Sequence, residues 1–324
     1  MGVIQNPKTY SGRELEEIFF RPVFTGPTAE QLGIRVLDNM PVPTTVHLWS
    51  PAGNVLKAYQ TGWQGGDKST KEIRTIDMKK VKAETAFSAA DYFSMVFEQI
   101  VNTGNVNMQD LTGTNLEAAE TELFKKAVAE SLRMTMWLGD FGSSSPYNTF
   151  DGILKAAYTA AKEETGVAGA YTIDTDVTLK NVFNIIDGTW KAASQTLRSY
   201  KEQGQLAFFV TADVYEAYEN YLDNKGVDAA YREMAEGRPA LHYHGIPIIN
   251  IGVGDEITKT QLPKSVCLLS DRRNLVLAVN TADSPETEVR MWYNPDEMEN
   301  RQRAVFLAGA TIIDPALISL GYKA

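Results

Sequence analysis

The chain has 324 residues, of which 44% are hydrophobic and 22% charged, a composition that can bury a core and carries a length prior of about two domains. Its formal charge of -10 argues against a face built to neutralise phosphates, because nucleic-acid binders gather lysine and arginine on one side. A single cysteine, Cys267, excludes an internal disulfide, a thiolate zinc cluster and a CxxC pair, and within SVCLL it reads as a small buried hydrophobe in a chain at home in a reducing compartment.

The opening stretch MGVIQNPKTYSGRELEEI lacks the basic and apolar runs of a secretion signal. No segment nears the roughly 18 unbroken apolar residues that span a bilayer. Asn6 stands where a myristoylation motif needs Ser or Thr. The expectation is a soluble, intracellular chain with no membrane partner. Residues 1–43 scatter prolines and glycines around short apolar patches, with one short helix expected at GRELEEIFF, and read as an arm laid along something else.

From residue 44 to residue 82 the pattern turns extended: TTVHLW, NVLKAYQTGW, then KEIRTIDMKKVKA, with turn chemistry in QGGDKST. Ile73, Thr75 and Asp77 alternate with Arg74, Ile76 and Met78, which predicts a two-sided strand in a hairpin reaching away from the core. SAADYFSMVFEQIVNTG predicts a helix capped at Ser88 and ended at Gly104. A longer helix is predicted over residues 114–138, opened by a Thr114/Glu117 capping box and ended by Gly139, about 36 Å long. Its expected buried stripe is Leu116, Ala119, Leu123, Ala127 and Met134, with Glu122 and Lys126 able to pair elsewhere on its surface.

GDFGSSSPYNTFDGIL reads as a polar turn entering a short apolar element. Residues 177–200 predict a helix with Gly188 as its weak point, and GQLAFFVTADVYEAYENYLDNKG predicts a buried strand running into a helix. ALHYHGIPIINIG, SVCLLSDRRNLVLAVN and TEVRMWY read as strands, and QRAVFLAGATIIDPALISLGY as one long buried strand. Helices and strands mix along the chain, so the fold class is α+β, without internal repeats.

The search for chemistry yields little. GWQGGDKST imitates a phosphate loop, but Asp67 replaces its second glycine before Lys68 and Ser69, and a strand follows where a helix is needed. His242 and His244 would project from one side of a strand as a pair of metal ligands, with His47 the remaining histidine in the chain and carboxylates needed to complete a site. The triple serine at 143–145 lies in a turn, no GxSxG exists, and Asp296 and Glu297 read as solvated charge. No catalytic residue, cofactor or metal is expected.

Several stretches, in order, resemble the major capsid proteins of tailed bacteriophages, whose fold is shared with encapsulin shells: TIDMKKVKAETAFSAADYF, the helix at 114–138, GDFGSSSPYNTFDGIL, QLAFFVTADVYEAYENYL followed by GIPII, and VRMWYNPDEMENRQRAVFLAGATIIDPALI. The resemblance implies an N-terminal arm (1–43), an extended hairpin loop (44–82), a peripheral domain with a long spine helix (83–172 and 286–324) and an axial domain (173–285). The last quoted stretch would then close the peripheral sheet, with Val305, Leu307, Ile312 and Ile313 buried against the spine helix. The aromatics Trp49, Tyr59 and Trp63, with Lys68 at the hairpin tip, become the expected subunit-interface residues.

The implied function is a structural protein that self-assembles through pentamers and hexamers into an icosahedral shell around phage or prophage DNA, held without specific binding. Separate scaffolding and portal proteins would assist, in the host cytoplasm, and the chain would end in the virion capsid. Some relatives carry a scaffolding segment before the arm, for which this sequence has no room, and some cross-link lysine to asparagine; Lys57, Lys68, Lys71 and Asn54 match no such motif, and no cross-link is expected. An encapsulin-like compartment is the alternative of the same fold, and a metal-dependent enzyme using His242 and His244 the alternative of another class.

Overall fold

A computed structural model describes residues 8–10, 29–38, 44–50, 60–61, 70–88, 115–162, 168–225, 231–233, 239–280 and 288–323. In chain order the first strands are β1 (Lys8–Tyr10), β2 (Arg35–Asp38), β3 (Thr44–Ser50), β4 (Thr70–Ile76) and β5 (Lys79–Ser88), followed by helices α1 (Asn115–Leu138) and α2 (Ile153–Lys162). Next come β6 (Gly169–Ile173), α3 (Val182–Ala192), α4 (Gln195–Ser199), β7 (Leu206–Val210), α5 (Ala212–Lys225), β8 (Tyr231–Glu233), β9 (Pro239–Tyr243) and β10 (Ile246–Asn250). The chain continues through β11 (Val266–Asp271), β12 (Leu275–Asn280), β13 (Glu288–Asn294), β14 (Glu299–Ile312) and β15 (Ile318–Lys323).

Two sheets with α1 and α2 between them carry the architecture. The first is organised by β14, a strand of 14 residues. Along one edge β14 pairs with β5, and along the other with β13 and then β12 end to end. β1 extends β13 and β2 runs parallel to β12, while β3 and β4 form a separate hairpin. The second sheet has seven strands in the order β6-β15-β11-β7-β10-β9-β8.

Alternation explains how one central strand serves two cores. In β7, Ala207 and Phe209 face α1 and α2, while Leu206, Phe208 and Val210 face α3 and α5. Leu268 and Leu269 of β11 divide in the same way. The core around α1 and α2 continues without interruption into the first sheet through Leu277 and Val279 of β12 and Phe306 and Ala308 of β14. Both sheets therefore share the two helices as a common filling. Among the described residues no helix is long and apolar enough to cross a membrane.

The spine helix, the β7–α5 unit and the chain turn between α1 and α2 stand where the sequence puts them. Six details differ, each for a physical reason. First, β14 turns Ala304, Phe306, Ala308, Ala310 and Ile312 to the core shared with α1 and α2, while Leu307 and Ile313 lie on the other side with Ile76, Met78 and Leu37. Of the expected set only Ile312 lies on the helix side, because residues 304–312, apolar on both faces, carry no alternation to fix the register.

Second, α1 buries Phe124, Val128, Leu132 and Met136, whereas Leu123 of the expected stripe is 58% exposed and Ala127 is exposed. The ion pair of Glu122 is with Lys125, not Lys126. Third, Ser88 is the last residue of β5, paired with Glu299, and does not open a helix; residues 89–114 lie outside the described set. The long strand read through 71–83 is two strands, with Asp77 and Met78 between them. Gly309 permits this, since a Cβ there would sit 2.6 Å from the Asp77 carbonyl.

Fourth, the helix predicted over 177–200 breaks at Ala193, which is extended, and restarts where the Ser194 side chain accepts from the Leu197 N–H. Gly188 is not the break but a contact, because a Cβ there would lie 2.3 Å from the Tyr171 ring. Fifth, residues 302–322 are not one strand. Asp314 and Pro315 end the run, and β15 crosses to the second sheet between β6 and β11. Sixth, β9 and β10 form a hairpin turning on His244 and Gly245, both at positive φ (50° and 80°). β12 thus belongs to the first sheet and β15 to the second.

Candidate functional site

The residues that could carry catalysis are placed for packing. Cys267 is fully buried in β11, and burial pushes its thiol up to about 12, far from a reactive thiolate. His242 lies in β9, but His244 is in the turn that follows, where strand alternation no longer applies, and its ring packs edge-on against Tyr243 at 4.3 Å. The pair read from the sequence as same-side ligands is therefore not presented as one. His47 lies in β3. Among the described residues no group of three or more His, Cys, Asp or Glu side chains could hold a metal ion. Glu297 pairs with Arg301 and Asp296 is exposed.

Of the expected interface residues, Trp49 lies in β3 opposite Lys71, whereas Tyr59, Trp63 and Lys68, with the loop around Asp67, lie outside the described residues. The base of the hairpin is anchored on one face. Ile76 and Met78 are buried with Val46 and Leu48 packed against that cluster, while Ile73 on the other face is 58% exposed. The two-sided alternation read from the sequence thus separates a packed face from an outward one that exposes Ile73.

A groove of about 550 Å³ runs between β5 and α1. Val81 and Ala83 form one wall, Leu123, Phe124 and Ala127 the other, and Phe306 lies among its lining. Its lining carries no group of three or more His, Cys, Asp or Glu side chains that could hold a metal ion.

A polar arrangement that sequence reasoning missed joins α1 to the segment after β10. Arg133 donates from Nη1 to the Ile251 carbonyl and from Nη2 to the Gly252 carbonyl, both at 3.1 Å. Glu130 steadies the guanidinium through Nε at 3.1 Å and Nη2 at 2.6 Å, and this arginine holds the Glu130 carboxyl below its ordinary range. Gly252 is left-handed at φ 65°, its N–H donates to Asn250 Oδ1 at 2.8 Å, and a Cβ there would come within 3.3 Å of Nη1.

A second contact lies nearby. The Tyr147 hydroxyl, in the turn after α1, donates to Glu256 Oε2 at 2.6 Å; burial and the carboxylate push this tyrosine up to about 12. The Glu130/Arg133 spacing and the glycines 252 and 254 were visible signals, but carbonyl acceptors leave no trace in a sequence.

That turn is itself closely built. The Gly152 N–H donates to the Gly139 carbonyl at 2.9 Å, and the Asp140 N–H to the Tyr147 carbonyl at 2.9 Å. A Cβ on Gly139 would meet the Phe150 carbonyl at 2.3 Å, so the glycines at 139 and 152 are demanded by close approach. On the far side of the second sheet, Tyr243 donates to Asp187 at 2.8 Å and Lys191 pairs with the same carboxylate at 2.6 Å. The lysine, then the tyrosine hydroxyl, lower the Asp187 carboxyl from its ordinary value.

No family model matches the chain, and no curated protein sequence does. Solved structures do. A chain of the satellite phage P4 procapsid including size determination (Sid) protein superposes with a TM-score of 0.57 at 10% identity, covering 96% of this chain and 97% of that one. The capsid of a native GTA particle gives 0.56 at 13% identity, over 100% and 96%. The holo-SrpI encapsulin complex from Synechococcus elongatus PCC 7942 gives 0.50 at 10% identity, over 89% and 84%. The chain has the α+β fold that these capsid and encapsulin subunits share.

Proposed function

We propose that copies of this chain self-assemble into a closed icosahedral shell enclosing phage or prophage DNA, and that its role is structural, not enzymatic. The observation that carries the reading is the fold match over nearly the full length of both chains, to subunits of a procapsid and of a capsid. An encapsulin neighbour of the same fold favours a second reading, a compartment whose contents are protein.

A curved shell needs heterologous contacts that close around axes, and arms and hairpins reaching to neighbours bury area that a compact globule cannot. On this reading residues 1–43 and 44–82 are those devices, beside a peripheral domain (83–172 and 286–324) and an axial domain (173–285), with β12 and β15 crossing between the two, since β12 joins the first sheet and β15 the second. Pentamers and hexamers of the chain form the shell. Separate scaffolding and portal proteins act with it in the host cytoplasm, and the net charge of -10 suits a container that holds DNA without gripping it.

The experiment is light scattering on the purified, untagged chain, followed by electron microscopy and analysis of contents. Closed particles holding nucleic acid support the capsid reading, and closed particles holding protein support the compartment. A chain that forms neither particles nor rings, with scaffold supplied, refutes both. Within that assay Trp63→Ala is expected to lower particle yield more than monomer stability; unchanged yield and size would remove Trp63 from the interface.

A further inference from the structure

The groove beside α1, the Tyr243/Asp187 cluster and the Arg133 contacts are the strongest unassigned features, and the Arg133 contacts carry furthest. We propose that Arg133 and Tyr147 form a two-point latch that fixes the angle between the spine helix α1 and the second sheet, and through it the curvature each subunit imparts to the shell. The inference rests on the shell reading above.

Apolar packing between α1 and the second sheet is non-directional, so the shared core holds the two together without setting their angle sharply. Directional bonds supply what packing lacks. The Arg133 fork grips two successive carbonyls, of Ile251 and Gly252, which fixes where α1 stands along the loop leaving β10. Tyr147 grips Glu256 in the following turn, whose carboxylate Lys259 also holds at 2.5 Å. One attachment would leave a pivot, whereas two attachments on different segments remove it. The loop is shaped in advance to receive the fork, since Gly252 takes a left-handed conformation and Asn250 holds its N–H. Arg133 and Tyr147 are positioning residues on this account.

The test compares the full chain with Arg133→Ala, Arg133→Lys and Tyr147→Phe, measuring thermal unfolding, amide hydrogen exchange of residues 250–259 in the unassembled subunit, and particle diameters by electron microscopy. Arg133→Ala is expected to speed exchange at 251–254 by about tenfold, as release of a charge-assisted clamp should, and to spread the particle diameters. Arg133→Lys, with one compact cation, recovers part of the single diameter. Tyr147→Phe removes only a hydroxyl and tests the second point where the alanine variant fails to fold. Unaltered exchange, or faster exchange with a native diameter distribution, overturns the latch. A native chain that never forms particles removes the shell reading instead, and the exchange data then still decide whether the clamp exists.

Discussion

The two sheets make opposite uses of their faces. In the second, β7 and β11 are buried along their whole length, with apolar neighbours on both sides supplied by this chain alone. In the first, one face of β14 packs on α1, while the other carries a charged row: Arg303 stands opposite Arg290 on one side and Glu84 on the other, and Arg301 opposite Trp292 and Ala86. The Arg303 guanidinium lies 5.7 Å over the Trp292 ring, which offsets the cost of two like charges across adjacent strands. The second sheet is thus a self-sufficient core, and the first is half core and half polar surface.

Substitutions in the two sheets should break this contrast in order of size. Phe208→Ala in β7 empties a fully buried site and is expected to cost about 3–5 kcal/mol in urea unfolding, a large fraction of the stability of a typical domain. Arg303→Ala on the charged row should change the same measurement by no more than about 1 kcal/mol. A comparable loss at both positions would mean that the first sheet is as closed as the second.

The smallest effect concerns Asp187. Its carboxyl is lowered in the folded chain, so its contribution to stability is present above the unfolded aspartate value, about 3.9, and is lost as the pH falls from there through the folded value. Asp187→Asn should flatten the stability profile below about pH 4 and lower stability slightly near neutrality, where the carboxylate's contribution is fully present.

What the sequence disclosed follows the same division. The spine helix ended at Gly139 as its stop signal indicated, and LAFFV ran into α5 as predicted, because each signal was local. The side that β14 turns to the helices was illegible because residues 304–312 are apolar on both faces, so Phe306 and Leu307 were equally eligible for the core. The helix break at Ser194 depends on a hydroxyl that also donates to the distant Ala316 carbonyl. His244 was misread because a two-residue turn can hide inside an apolar run when its first residue is not the usual Asn or Asp. The Arg133 clamp was out of reach for a deeper reason, since its acceptors are main-chain carbonyls that any residue provides. The interface residues Tyr59, Trp63 and Lys68 were expected from the extended hairpin that the resemblance implies and lie outside the described residues, so they stand as proposals.

The position of β15 has a consequence for how the subunit is made. Residues 318–323 fill an interior slot between β6 and β11, strands synthesised well before them. Until that slot is filled, β11 and β6 each present an unpaired edge, the kind that recruits other chains. A chain stopped before residue 318 therefore cannot complete the sheet. The sheet is thus closed from its middle, by a segment far downstream of the strands it joins, and its order waits on a contact distant in sequence.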